Sequence, residues 1–333
     1  MSVNNFNDMY NIYMKNNSII IYKKFNSCTN DYYQYIVELI KKIINDNDYY
    51  KINILLECDN NILLECNNNK TIKININYEH TFFMNLCKGD PNIPTKYIDD
   101  IFNNHRLYNS NLPTGNIDDI YNKKYLVHID FNIDDDIIID YSIPNIYNVR
   151  SCEKYNSIIN KHIYISPSIY DNYLTNENRN IEILTTFIHF DNNPTKFRRF
   201  DLINEINKRK LNHININNCF EHNEMKKIYE NTKVLINIHQ SQINHTFEEL
   251  RVLPALQCGV IVIAEKSPLF ELIPYNDYII WETYENILNK TEEVINNYEY
   301  YYNLIFKKDK KIKLEELNEL NYNELNNKIK SLL

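Results

Sequence analysis

The sequence predicts an α/β protein of two domains, the second a doubly wound parallel sheet, and three observations carry that prediction. At 333 residues the chain is long enough for two ordinary domains, each with its own core. Hydrophobic residues make up 44% of it, which places it with globular rather than disordered chains despite its polar runs. From residue 181 onward, short β-branched runs alternate with helical periodicities, the pattern of right-handed βαβ crossovers.

In the first half, Ser18 to Tyr22 (SIIIY) reads as a strand. Residues 31–44 read as an amphipathic helix, with Tyr35, Ile36, Leu39, Ile40, Ile43 and Ile44 on one stripe. Lys51 to Cys58 (KINILLEC) is a second strand. The octet NILLECDN at Asn53 returns as NILLECNN at Asn61, and two copies read as a hairpin rather than a repeat array. Thr71 to Tyr78 (TIKININY) alternates as a half-buried strand. Strands at 125–129, 136–141 and 162–166 complete a first domain, 1–170. The polar, turn-rich stretch 167–179 (PSIYDNYLTNENR) is expected to link the domains.

The second domain, 180–306, opens with a strand at 181–187 and a basic helix at 195–210. A strand at 211–216, a helix at 222–231 and the strand 233–238 (KVLINI) follow. Pro254 sets the next helix, because proline is tolerated in a first turn and clashes inside a helix; the helix is expected to start near Leu253 or to kink there. Gly259 allows a tight turn into the strand 260–264 (VIVIA), with a further strand at 278–281 and a helix at 286–300. An amphipathic terminal helix occupies 307–333, with its periodic part at 314–332. Both halves are thus Rossmann-like, and ligands of such sheets bind beyond the carboxyl ends of the strands.

Composition excludes several functions. The balance of 36 basic and 44 acidic side chains, −8 overall, argues against a protein that wraps nucleic acid. The abundance of Asn, Ile, Lys and Tyr reads as AT-rich coding. Only Gly89, Gly115 and Gly259 are present, so neither a phosphate-binding P-loop nor a three-glycine dinucleotide fingerprint can be built. The seven cysteines are odd in number and form no C-x-x-C, which reads as reduced thiols. No signal peptide and no apolar run near 18 residues are present, so a cytoplasmic protein without a transmembrane segment is expected, in the host cytoplasm if viral. The histidines are scattered, with no zinc-ligand spacing, and no G-x-S-x-G occurs.

The chemistry-bearing stretch is KVLINIHQSQINHTFEELRVLPALQCGVIVIAEKSPLFE, Lys233 to Glu271. A strand ends at His239 and Gln240; a polar loop then leads to Glu248, Glu249 and Arg251 beside a helix start. Free N–H groups at such a start suit a diphosphate, Arg251 adds a two-pronged phosphate donor, and a carboxylate suits ribose hydroxyls. A second basic group, Lys196, Arg198 and Arg199 in NPTKFRRF, follows the strand 181–187. Strand ends in the first half add three candidate bases: Glu79 and His80 (NYEHT) and Asp140 (IIIDYS).

The order strand, polar loop, acidic segment, L-x-A-L-x-C-G and β-branched strand resembles the donor-binding half of GT-B glycosyltransferases of group 1. The run NIHQ…TFEELRVLPALQCGVIVIAE is similar to glycosyltransferase-like proteins of large AT-rich DNA viruses. The resemblance spans about the last 150 residues. It implies two GT-B domains and a nucleotide-sugar donor, UDP- or GDP-linked, with no other cofactor and no metal. It further implies transfer to a glycan, protein or small-molecule acceptor. The family's first glutamate falls at Thr246 and its second at Pro254, so Glu248 or Glu249 takes the acidic role, with Arg251 on ribose or phosphate. Lys196, Arg198, Arg199, His239 and Gln240 complete the implied donor site, and Glu79, His80 or Asp140 supplies the base. Two rivals stand beside this reading. One is a metal-dependent GT-A transferase using Asp134–Asp136, a triplet read here as a solvated turn. The other is a non-catalytic sugar-nucleotide or glycan-binding protein, or a structural virion component.

Overall fold

The computed structural model describes residues 10–14, 17–21, 30–47, 53–56, 61–66, 70–78, 81–83, 126–127, 135–151, 153–170, 178–187, 197–217, 221–239, 247–306 and 308–332. They form an α/β protein with two principal sheets and two large apolar cores.

The first sheet has seven strands in the order β1-β2-β3-β4-β5-β8-β9. These are β1 (Tyr10–Met14), β2 (Asn17–Ile21), β3 (Asn53–Leu56), β4 (Asn61–Cys66), β5 (Lys70–Asn77), β8 (Ile137–Asp140) and β9 (His162–Tyr164). The duplicated octet is the expected hairpin: β3 and β4 pair antiparallel, Asn53 opposite Glu65 and Leu56 opposite Ile62. β1 and β4 run against the rest, so β2, β3, β5, β8 and β9 share one direction. A separate short ladder joins β6 (Phe82–Phe83) to β7 (Leu126–Val127). Helix α1 (Asn30–Asp46) buries its predicted stripe of Ile36, Leu39, Ile40, Ile43 and Ile44 on this sheet. The Tyr32 hydroxyl donates to the Ile165 carbonyl at 2.6 Å, which fixes the helix to the exit of β9. Helix α2 (Ile143–Arg150) follows β8.

The second sheet is wholly parallel, in the order β11-β10-β12-β13-β14. Its strands are β10 (Ile181–Thr185), β11 (His213–Asn215), β12 (Thr232–Asn237), β13 (Ile261–Glu265) and β14 (Ile279–Glu282). Val234, Leu235, Ile236, Ile261, Val262 and Ile263 are almost fully buried, as central strands covered on both faces must be. The helices are α3 (Phe197–Lys208), α4 (His222–Glu230), α5 (Glu249–Gln257), α6 (Ile287–Asn296) and α7 (Tyr298–Ile305). The chain leaves β10 toward β11 on one side, then returns past it to β12, so the winding reverses between β10 and β12. In open α/β sheets ligands bind at such a reversal, in the crevice beyond the carboxyl ends of the strands.

Three expectations change. Helix α5 starts at Glu249, four residues before Leu253, and carries Pro254 in its interior. The single helix expected at 286–300 is two, parted at Asn297, whose φ of −124° and ψ of 36° leave the helical region and whose side chain caps the first helix by donating to the Glu293 carbonyl at 2.9 Å. The stretch read as the start of a linker is packed: Ser168 and Tyr170 are buried, and Gln257 of α5 donates to the Ser168 hydroxyl and the Tyr170 carbonyl, both at 2.7 Å. Gly259 adopts φ 73°, the left-handed turn that its position after α5 requires. The last helix, α8 (Lys308–Lys330), joins both cores: Leu314 and Leu317 pack in the second, Leu325 and Ile329 in the first. No helix of the described residues is long and apolar enough to cross a membrane.

Candidate functional site

At the carboxyl edge of the second sheet, where its winding reverses, three arginines meet two carboxylates. α3 brings Arg198 and Arg199 over this edge, and the start of α5 brings Glu248 and Arg251. Glu248 receives Arg199 Nη2 on one oxygen at 2.6 Å and Arg251 Nη1 on the other at 2.5 Å. Glu265, the last residue of β13, receives Arg198 Nη2 at 2.5 Å and the backbone N–H of His239 at 3.0 Å. The His239 ring lies alongside, with Nδ1 at 3.5 Å from the same carboxylate. Three guanidinium groups against two carboxylates leave one net positive charge.

Aromatic rings fix the arginines. Arg198 stacks over Tyr284 with 4.3 Å to the ring centroid, and the Tyr284 hydroxyl donates to the Arg198 carbonyl at 2.8 Å. Arg199 lies 5.0 Å over Phe187, donates to the Ile238 carbonyl at 3.3 Å, and is almost fully buried. Burial pulls its guanidinium below the usual range, while Glu248 pulls it back up. Arg198 Nη1 and Arg199 Nε are buried and find no acceptor among the described residues. Donors of this kind are costly to leave unmade.

The adjacent Glu249 does something else. Its carboxyl is fully buried and turns away from the arginines, toward Tyr275 at 2.7 Å and Tyr164 of β9 at 3.3 Å. Burial pushes it up to about 8; hydrogen bonds from Tyr275 and Ser142 oppose that, and the neighbouring Asp140 adds to it. Tyr164 and Ser142 belong to the first sheet and the turn after it, so Glu249 ties α5 to that half.

Asp140 ends β8 as predicted, but it is fully enclosed. It accepts from Asn77 at 2.8 Å, from the Ser142 N–H at 3.0 Å and from Asn145 at 3.0 Å, with His162 Nε2 at 3.1 Å. This cage holds the ends of β5, β8 and α2 together. The acidic triplet is not a solvated turn where it is described: Asp135 is buried and accepts from Asn75, and Asp136 accepts from the Lys73 N–H. Among the described residues no group of His, Cys, Asp and Glu stands together as a metal site.

The structure therefore gathers Arg198, Arg199, His239, Glu248 and Arg251 into one cluster, and sets Glu249 and Asp140 in a buried network beside it. Glu79, His80, Lys196, Gln240 and Thr246 lie outside the described residues. Sequence reasoning missed Glu265, Phe187 and Tyr284. The strand-end rule that marked Asp140 applies equally to Glu265, which closes the run VIVIAE; the two aromatics carry no such signal.

Fold and site together define a Rossmann-like α/β protein with an arginine-lined crevice at the carboxyl edge of its parallel sheet. No described protein family matches the chain. Over 196 residues it is 26% identical to an uncharacterized protein of Acanthamoeba polyphaga mimivirus. The match takes in 58% of this chain and 65% of the mimivirus protein, so the chain spans less than two thirds of that relative's length.

Proposed function

We propose that the chain is a metal-independent glycosyltransferase of the two-domain GT-B type, moving a sugar from a UDP- or GDP-linked donor to an acceptor. The observation that carries this reading is the gathering of three arginines at the carboxyl edge of the second sheet, Arg199 and Arg251 on Glu248 at the start of α5 and Arg198 on Glu265 at the end of β13, with buried guanidinium donors left over. Glycosyl transfer from such a donor expels a nucleoside diphosphate, and fixed guanidinium groups and helix N–H groups neutralise the charge as it develops. Glu248 bridges two of the arginines and holds their spacing; its oxygens also suit ribose hydroxyls. Of the candidate bases, Asp140 already accepts a full set of hydrogen bonds, which favours Glu79 or His80.

The test is a thermal-shift series with UDP, GDP and CMP and their sugar conjugates. A ligand that binds the folded state raises the midpoint by mass action. Arg251→Ala should abolish the shift given by the preferred diphosphate, whereas Asp135→Ala, if it folds, should keep it. A full shift in Arg251→Ala would remove the arginine cluster from the donor site. Transfer that persists after chelation of divalent metal separates this reading from a GT-A transferase.

A second reading is a non-catalytic protein that holds a nucleotide-sugar or glycan, including a structural virion component. Its support is that Glu248 and Glu265 already engage all three arginines, which lowers the free charge available to a leaving group. Binding without transfer to any acceptor would favour it.

A further inference from the structure

A cavity of about 580 Å³ lies apart from the arginine cluster and shares no lining residue with it. Its walls come from α1, the first turn of α4 and α8, together with Ile169, so it sits on the seam between the two halves. The volume falls within the roughly 300–1,000 Å³ of small-molecule sites.

The chemistry of its walls is unlike that of the crevice. No guanidinium borders it. The lining carries two carboxylates, Asp31 and Glu38, beside Lys42 and His222; Asp31 lies 3.4 Å from His222 Nδ1 and Glu38 is paired with Lys41 at 2.6 Å, so the charges do not add up to an excess of positive charge. Such a site offers little to a phosphate. The rest is largely aromatic and amide, Tyr35 and Tyr322 with Gln34 and Asn318, beside the aliphatic Leu39 and Ile169. Tyr35 is held in place, its hydroxyl donating to Asn318 Oδ1 at 2.8 Å and accepting from Asn321 Nδ2 at 2.7 Å. Lys42 lies 5.2 Å over the Tyr322 ring. Rings give flat apolar surface, and amides give a donor and an acceptor on one group. A ligand that presents C–H faces between hydroxyls, each both donor and acceptor, matches that lining.

We propose that this cavity binds a neutral saccharide, at a site separate from the diphosphate. The proposal extends the transferase reading by giving the protein a carbohydrate-holding site of its own, and the two fail in different measurements. Saturation-transfer NMR on the full chain, with maltose, cellobiose and diacetylchitobiose as probes, tests it. At least one disaccharide should bind, and should stay bound in saturating UDP. Tyr322→Ala should weaken it about tenfold, the worth of one aromatic contact. Gln34→Ala, a change at a half-exposed position that leaves the core intact, should also weaken it while preserving the UDP-induced thermal shift. The proposal is overturned if none of the three sugars binds, if binding is unchanged in both variants, or if UDP displaces the sugar. Loss of the UDP shift with sugar binding retained would instead count against the transferase reading alone.

Discussion

Glu248 and Glu249 are neighbours in sequence and part ways at the start of α5. Glu248 is the last residue before the helix and its carboxylate spans Arg199 and Arg251. Glu249 opens the helix, and its side chain is driven inward to Tyr275 and Tyr164. The difference has a thermodynamic consequence. The Glu249 carboxyl has its pKa raised from 4.5 to about 8 by burial. Between those values the folded state holds a proton that the unfolded chain releases. Stability should therefore fall as pH rises from about 4.5 to about 8, and level off above. Glu249→Gln keeps the shape without the titration, and should flatten that slope, which is worth on the order of a few kcal/mol. Urea midpoints at about pH 5 and about pH 8 measure it. An undiminished slope in the glutamine variant would assign the pH dependence elsewhere.

At the scale of elements, the turn from α5 into β13 carries the geometry of the crevice. Gly259 at φ 73° closes it, and a Cβ there meets the steric cost of the left-handed region. Gly259→Ala should cost about 1–2 kcal/mol by denaturant unfolding; a neutral result would mean that the turn relaxes to another conformation. This turn, the central strands β12 and β13 and helix α3 were legible in the sequence because buried parallel strands are near-continuous apolar runs set between helical periods. The doubled NILLEC was legible as a hairpin because its two copies follow closely in sequence, and they pair antiparallel. Other features were hidden for physical reasons. Pro254 marks a helix start under local rules, yet tertiary burial of Val252, Leu253, Ala255 and Leu256 carries α5 across it. Asn297 parts two helices within one apolar period, and in so asparagine-rich a chain nothing distinguishes it. The arginines of the site were legible as basic residues after a strand. Their partners Glu265, Tyr284 and Phe187 come from the end of β13 and the segments after β14 and β10, and meet them only in the fold. The Asp140 cage was equally invisible, since Asn77, Asn145 and His162 converge from three elements.

At the scale of the whole molecule, contacts among the described residues from α8 and from Glu249 join the two halves, beside that of Asp31 with His222. α8 puts Leu314 and Leu317 into one core and Leu325 and Ile329 into the other, and Asn321 of α8 exchanges hydrogen bonds with the Ser166 backbone at 2.9 Å in each direction. Glu249 makes the second contact, from α5 to Tyr164. The arginine cluster stands next to that joint, since its Glu248 directly precedes Glu249. The most direct measurement is a crystal structure of the full chain with UDP or GDP. The account predicts the diphosphate within hydrogen-bond reach of Arg199 and Arg251, at the N-terminus of α5. A diphosphate bound in the cavity between α1 and α8, or a crevice left empty at saturating nucleotide, would contradict it.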